Sequence, residues 1–276
     1  WNVSLATVDC FENISSCLPD PPSEGPTLSF RMTHFKPEEC KAFYQLVSCE
    51  KVIKLVMSGC HIDDAGLDLF TEKMKGNHTL RELDLSNNRL TFEGLQPLLE
   101  AIVNLRVLDL SLNKRLGSRG LQYLAQYLKN GIQTIRTLSL KCTGMDVTAA
   151  FMLAEALEVN STLRELDLKA NSLTDREARF LAYSLEKNIT LEHLDLSQNR
   201  FSGSLQVPDR VIAKDNIEPN SEHIAASNPM KLILAGECYE VYQDTATRLG
   251  NDGNTVARML AGCTRMEIRS EGLEQQ

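Results

Sequence analysis

The sequence predicts an α/β solenoid: short parallel strands on a concave face, helices on the convex face, and one elongated core. Three observations carry this. The first is a leucine ladder, Leu-x-x-Leu-x-Leu-x-x-Asn, running through Leu80–Asn88, Leu105–Asn113, Leu163–Asn171 and Leu191–Asn199. Weaker copies start at Val52 (Leu55, Met57, Cys60) and Ile135 (Leu138, Leu140, Thr143). The second is the period: the starts at 52, 80, 105, 135, 163 and 191 are 28, 25, 30, 28 and 28 residues apart. A period of this length marks units that bury their apolar faces only by stacking on one another. The third is a change of periodicity inside each unit. Leu-x-Leu alternates with period two, as a strand does. After the Asn, apolar residues recur at three and four, as on a helix: Leu90, Gly94, Leu95, Leu98, Leu99 and Ile102 in one unit, and Leu173, Ala178, Leu181, Ala182 and Leu185 in another.

Taken in order, residues 1–24 carry Pro19, Pro21 and Pro22 and read as an irregular N-terminal cap or linker. Residues 25–205 hold about seven repeats. The first starts at Gly25, with Leu28-Ser29-Phe30 as its strand and Pro37 through Leu46 as its helix, proline standing in the first turn. The six ladder units follow. Residues 206–276 read as divergent repeats and a cap, with an insertion near 202–228 that contains Gly203, Pro208 and Pro219. That insertion is either a projecting binding element or a divergent repeat. Beyond it, Leu232-Ile233-Leu234 fits a start at Pro229, and Met266-Glu267-Ile268 a start at Cys263. Nine strands are expected in all.

Composition narrows the function. The 276 residues carry a net charge of −8, which disfavours nucleic acid, since phosphate binding needs a basic surface, and allows a protein partner with a basic surface. No apolar run approaches the roughly 18 residues of a membrane span. The chain does not begin with Met, so a processed product or part of something longer is expected. Of eight cysteines, Cys60 and Cys142 lie at or beside the ladder Asn position and Cys40 and Cys49 near the first helix; buried free thiols are the simpler reading. Cys10 and Cys17 are the pair that an oxidising compartment would join. Five sequons occur, at Asn2, Asn13, Asn77, Asn160 and Asn188. The last three share one position of the repeat, just before the first ladder leucine, where Asn and Thr can satisfy backbone groups of a turn. Asn2 and Asn13 have no such explanation and keep a secreted reading open.

The repeat resembles the ribonuclease-inhibitor-like class of leucine-rich repeats, whose units of 28–29 residues contain a full helix. The phrases Asn77-His-Thr-Leu80, Asn160-Ser-Thr-Leu163 and Asn188-Ile-Thr-Leu191 are similar to those of intracellular members, including the leucine-rich repeat domains of NOD-like receptors. The resemblance covers residues 52–205. It implies a horseshoe, a cytoplasmic setting, and a non-enzymatic protein-binding role: a scaffold, or the ligand-sensing and autoinhibitory part of a larger protein of innate immunity. Two alternatives stand beside it. Ran GTPase-activating proteins are built from similar repeats, and extracellular ligand-binding domains from shorter ones.

No catalytic constellation, cofactor site or metal site is expected. There is no phosphate loop, no nucleotide-binding glycine motif and no nucleophile elbow, and the five histidines are scattered. The ladder residues Asn88, Asn113, Asn171 and Asn199 read as structural, bonding backbone groups that leave the sheet without partners. A partner is expected on the concave face. There, strand alternation turns Asp84, Asp109, Asp167 and Asp195 outward in one row, beside Glu82, Glu165 and His193 in the next. The aspartates are expected to be exposed. They are either an acidic stripe for a basic partner or simply what this repeat class places between its leucines. A basic row, Arg81, Arg106, Arg136 and Arg164, precedes them.

Overall fold

The computed structural model describes residues 27–30, 52–130, 134–185, 187–201, 230–234 and 237–241. The expected cap at 1–24, the helix at Pro37–Leu46, the insertion near 202–228 and the strand at Met266–Ile268 lie outside them. So do Cys10, Cys17, Cys40, Cys49, Asn2 and Asn13.

Seven three-residue strands follow the ladder: β1 (Thr27–Ser29), β2 (Lys54–Val56), β3 (Glu82–Asp84), β4 (Val107–Asp109), β5 (Thr137–Ser139), β6 (Glu165–Asp167) and β7 (His193–Asp195). Two longer ones end the sheet, β8 (Met230–Leu234) and β9 (Glu237–Val241). All nine lie side by side in chain order. The pairings from β1 to β8 are parallel, and the central leucines stand in one file, Leu28, Leu55, Leu83, Leu108, Leu138, Leu166, Leu194 and Leu232.

Among the described residues five helices lie between strands: α1 (Asp64–Met74), α2 (Phe92–Ala101), α3 (Gly117–Asn130), α4 (Val147–Val159) and α5 (Asp175–Leu185). Each packs on the next. The uneven period is absorbed here. The 25-residue spacing encloses the 10-residue α2, and the 30-residue spacing encloses the 14-residue α3 with a short 3-10 turn before it. The strands, which must stay in register, do not change length.

Helix starts are capped by side chains. Asp63 accepts from the Gly66 N–H at 3.0 Å and Asp146 from the Ala149 N–H at 2.8 Å. At α5 the Glu177 carboxylate reaches back to the N–H and hydroxyl of Thr174, at 2.7 and 2.6 Å. At α2 the fit is by close approach: a Cβ on Gly94 would lie 2.5 Å from Asp64 Oδ1 and 3.2 Å from its Cα. One continuous apolar core runs from Leu28 to Leu196 between sheet and helices. Each leucine fully buried there contributes about 1.5–3 kcal/mol.

One expectation changes at the C-terminal end. β8 forms where the start at Pro229 places it, but the chain then turns back and β9 pairs with β8 antiparallel, Leu232 opposite Tyr239. Two residues separate the strands, too few for the crossover that a parallel neighbour requires, so the connection is a hairpin. Gly236 and the run Cys238-Tyr239-Glu240-Val241 are the sequence signal for it.

Candidate functional site

The sheet offers three surfaces: an open face, an edge where strands leave it, and an edge where they begin. At the C-terminal edge the chain turns through a left-handed residue at one fixed position, with φ of 54° at Asn87, 62° at Leu112, 54° at Cys142, 56° at Ala170 and 57° at Gln198; Gly59 holds the same place with φ 69°. Five of the six are not glycine, although this conformation strains L side chains. The ladder residue that follows each of them locks the turn. Asn171 Oδ1 accepts from the N–H groups of Thr143, Gly144 and Met145 at 3.0–3.4 Å, and its Nδ2 donates to the carbonyls of Leu140 and Leu168 at 2.8 and 3.1 Å. Asn88 and Asn113 do the same three and two units earlier. Each amide thus ties its unit to the one before it. Asn113 is 0% exposed and Asn171 2%, so these side chains are scaffold. Thr143, in the same place, reaches the carbonyl of its own unit, Leu140, at 2.9 Å.

Three sequons are committed in the same way. Asn160 Oδ1 accepts from the N–H of Thr162 and Leu163, and its Nδ2 donates to the Leu128 carbonyl at 3.0 Å. Asn188 repeats this one unit on, donating to Leu157, and Asn77 Oδ1 accepts from Thr79 and Leu80. All three are buried. A glycan on Asn188 would displace at least one of the two bonds that its Nδ2 donates, to the Leu157 and Asn160 carbonyls.

On the open face the register brings all seven predicted residues together, Glu82 beside Val107, Glu165 beside His193, and Asp84, Asp109, Asp167 and Asp195 in one file broken by Ser139. The aspartates are not free surface groups as expected. All four are half-buried, and each Oδ1 accepts from the N–H two residues on, Ser86, Ser111, Lys169 or Ser197, at 2.8–2.9 Å. The physical reason is the early end of a three-residue strand, which leaves that N–H without a sheet partner. Burial raises the Asp109 carboxyl above the ordinary aspartate range; hydrogen bonds from Ser111 offset part of this, and the charges of Asp84 and Asp167 add to it. Glu82 and Glu165 carry no such backbone duty. Glu82 faces Lys54 at 2.6 Å, and Glu165 is exposed and accepts from the Thr137 hydroxyl at 3.2 Å.

The N-terminal edge is basic. Arg81, Arg106, Arg136 and Arg164 each precede a strand, and the N–H of each later one donates to the carbonyl of the one before at 2.7 Å. Neighbouring guanidinium stems therefore start one strand apart, about 4.8 Å. At that distance like charges repel by roughly 0.9 kcal/mol at water's dielectric constant. The four line a recess of about 290 Å³. The sequence showed the basic row, but not that the row encloses a space.

Among the described residues no group of three or more His, Cys, Asp or Glu could hold a metal, and no helix is long and apolar enough to cross a membrane. Segments 48–70, 76–99, 102–125, 159–182 and 187–204 match the family model for the leucine-rich repeat. The unit between 135 and 158, where Thr143 replaces the ladder Asn, is folded like its neighbours although no matched segment covers it. No curated protein matches the chain significantly.

Proposed function

For this leucine-rich repeat protein, we propose a non-enzymatic role as a protein-interaction module that meets a basic partner surface with the open face of its sheet. The observation that carries it is the outward row Lys54, Glu82, Val107, Thr137, Glu165 and His193, in register over six strands and therefore spanning roughly 24 Å. A polar strip of that length suits another macromolecule, and with the Asp file beside it the strip is mainly acidic. Leucine-rich repeats in general serve as interaction surfaces, which supports the same reading.

Units of about 28 residues with a full helix support the ribonuclease-inhibitor-like class. The Asn-x-Thr-Leu turns support kinship with NOD-like receptor repeats, and with it a sensing or autoinhibitory role in a larger protein of innate immunity. A cytoplasmic setting is supported by the three sequons committed to backbone bonding and by the Cys60 thiol, which is buried and donates to the Phe30 carbonyl at 3.2 Å.

The test is charge reversal at Glu82→Lys with Glu165→Lys, because neither carboxylate holds the backbone. A partner recovered from native extract should bind the variant at least tenfold more weakly, with a shallower salt dependence and an unchanged melting temperature. Equal affinity and equal salt dependence for the two proteins would remove the open face from the interaction.

A further inference from the structure

We propose that the recess at the N-terminal edge of the sheet is an oxyanion site that takes a phosphate monoester dianion between Arg106 and Arg136. The site stands apart from the Asp file and does not depend on the open-face reading. Its first support is unused donor capacity. Arg81 donates to the carbonyls of His78 and Asn104, and Arg164 is paired with Glu192. Arg106 and Arg136, the two in the middle, are exposed, and their guanidinium groups have no hydrogen-bond or ion-pair partner among the described residues. No carboxylate lines the recess.

The second support is geometry. The backbones of Arg106 and Arg136 are bonded to each other, so the two stems start about 4.8 Å apart on a fixed sheet. Two guanidinium forks at that spacing can close on one group. The two oxygens of a carboxylate are satisfied by a single fork, whereas the three terminal oxygens of a phosphate monoester can serve both. The Thr134 hydroxyl in the wall is committed to the Leu105 carbonyl at 2.7 Å and the Thr162 hydroxyl faces Asn160 Oδ1 at 3.4 Å, so the arginines are the charged donors a ligand meets, with the Ser161 hydroxyl beside them. The third support is charge. A protein of net charge −8 keeps four arginines at four successive, aligned positions, and the two in the middle, Arg106 and Arg136, have no carboxylate partner among the described residues to offset their mutual repulsion.

The phosphate could be carried by a free small ester or by a phosphorylated side chain. Calorimetric titration of the full chain with glycerol 3-phosphate, a phosphoserine heptapeptide, and the serine and glutamate versions of that peptide separates these. Phosphorylated probes should bind, and Arg106→Gln with Arg136→Gln should weaken them at least tenfold while circular dichroism and melting temperature stay as in wild type. Lowering the pH to about 5.5, below the second phosphate pKa of about 6, should weaken binding to wild type. Glu82→Lys with Glu165→Lys should not weaken it, since both changes add positive charge near the recess, which keeps this site and the open face separately readable. A peptide at least tenfold tighter than glycerol 3-phosphate assigns the group to a protein partner; equal affinity assigns a free ester. The proposal is overturned if no phosphorylated probe binds, if the double glutamine variant binds them as wild type does, or if the glutamate peptide matches the phosphoserine one.

Discussion

The two edges of this sheet are built from the same repeat and are opposite in character. At the C-terminal edge, the ladder amides Asn113 and Asn171 are buried and their bonding capacity is committed: each joins two successive units through backbone bonds. At the N-terminal edge, beside the buried sequon asparagines, Arg106 and Arg136 are exposed and have no partner among the described residues. A regular row of polar residues is therefore no guide to function by itself. What separates scaffold from candidate site is whether the bonding capacity is already used.

The largest effect that would break this comparison lies at the committed edge. Asn171→Ala should cost about 3 kcal/mol or more, since it leaves several buried N–H and C=O groups unpaired. Thr143→Ala, which removes one hydroxyl that lies 2.9 Å from the Leu140 carbonyl of its own unit and 3.1 Å from Asn171 Oδ1 of the next, should cost about 1 kcal/mol. Urea denaturation of both variants checks the ranking, and equal costs would mean that the cross-unit bonds contribute little.

A smaller effect of opposite sign is expected at the turn beside them. Ala170 is held at φ 56°, so Ala170→Gly should remove left-handed strain of about 1–2 kcal/mol against a chain-entropy loss of about 0.5–1 kcal/mol. The net gain of about 0.5 kcal/mol should appear as a slight rise in melting temperature. A fall would show that packing of the alanine methyl outweighs the strain.

The open face, between the two edges, sharpens the comparison through pH. The Asp109 carboxyl is raised in the folded state, so the proton is held more tightly there than in the unfolded chain. Below the unfolded value of about 3.9 the folded state bears no penalty from this group, and stability is lost as pH rises through the raised folded value. Asparagine keeps the acceptor for the Ser111 N–H without the charge. Asp109→Asn should therefore equal wild type near pH 3 and exceed it modestly at pH 7. A variant less stable than wild type at pH 7 would show that the ionised form is needed.

The smallest effect is expected at the uncommitted edge. Arg106→Gln with Arg136→Gln should change stability by no more than about 0.5 kcal/mol. A thermal melt showing a larger loss would place these arginines with the scaffold and close the gap between the edges.

The sequence by itself determined the repeat, the file of central leucines from Leu28 to Leu232, the helix faces, and the structural role of the Asn ladder. Each of these repeats at a fixed spacing, and the chemistry of a buried amide or a leucine does not depend on which neighbour it meets. It also placed the seven open-face residues on one surface, because strand alternation dictates that directly. Only the tertiary structure decided the rest. The Asp file is tied into the backbone because three-residue strands end before their next N–H is paired, and strand length is set by stacking, not by local composition. Leu112 and Ala170 occupy left-handed turns against their own preference because the ladder amide that follows each, Asn113 or Asn171, bonds carbonyls of its own and the preceding unit and so holds the turn. The hairpin of β8 and β9 closes the described sheet where a two-residue link leaves no room for a helix. The arginine recess exists only because residues 25, 30 and 28 positions apart in the chain are bonded side by side in space, a neighbourhood that no single repeat contains.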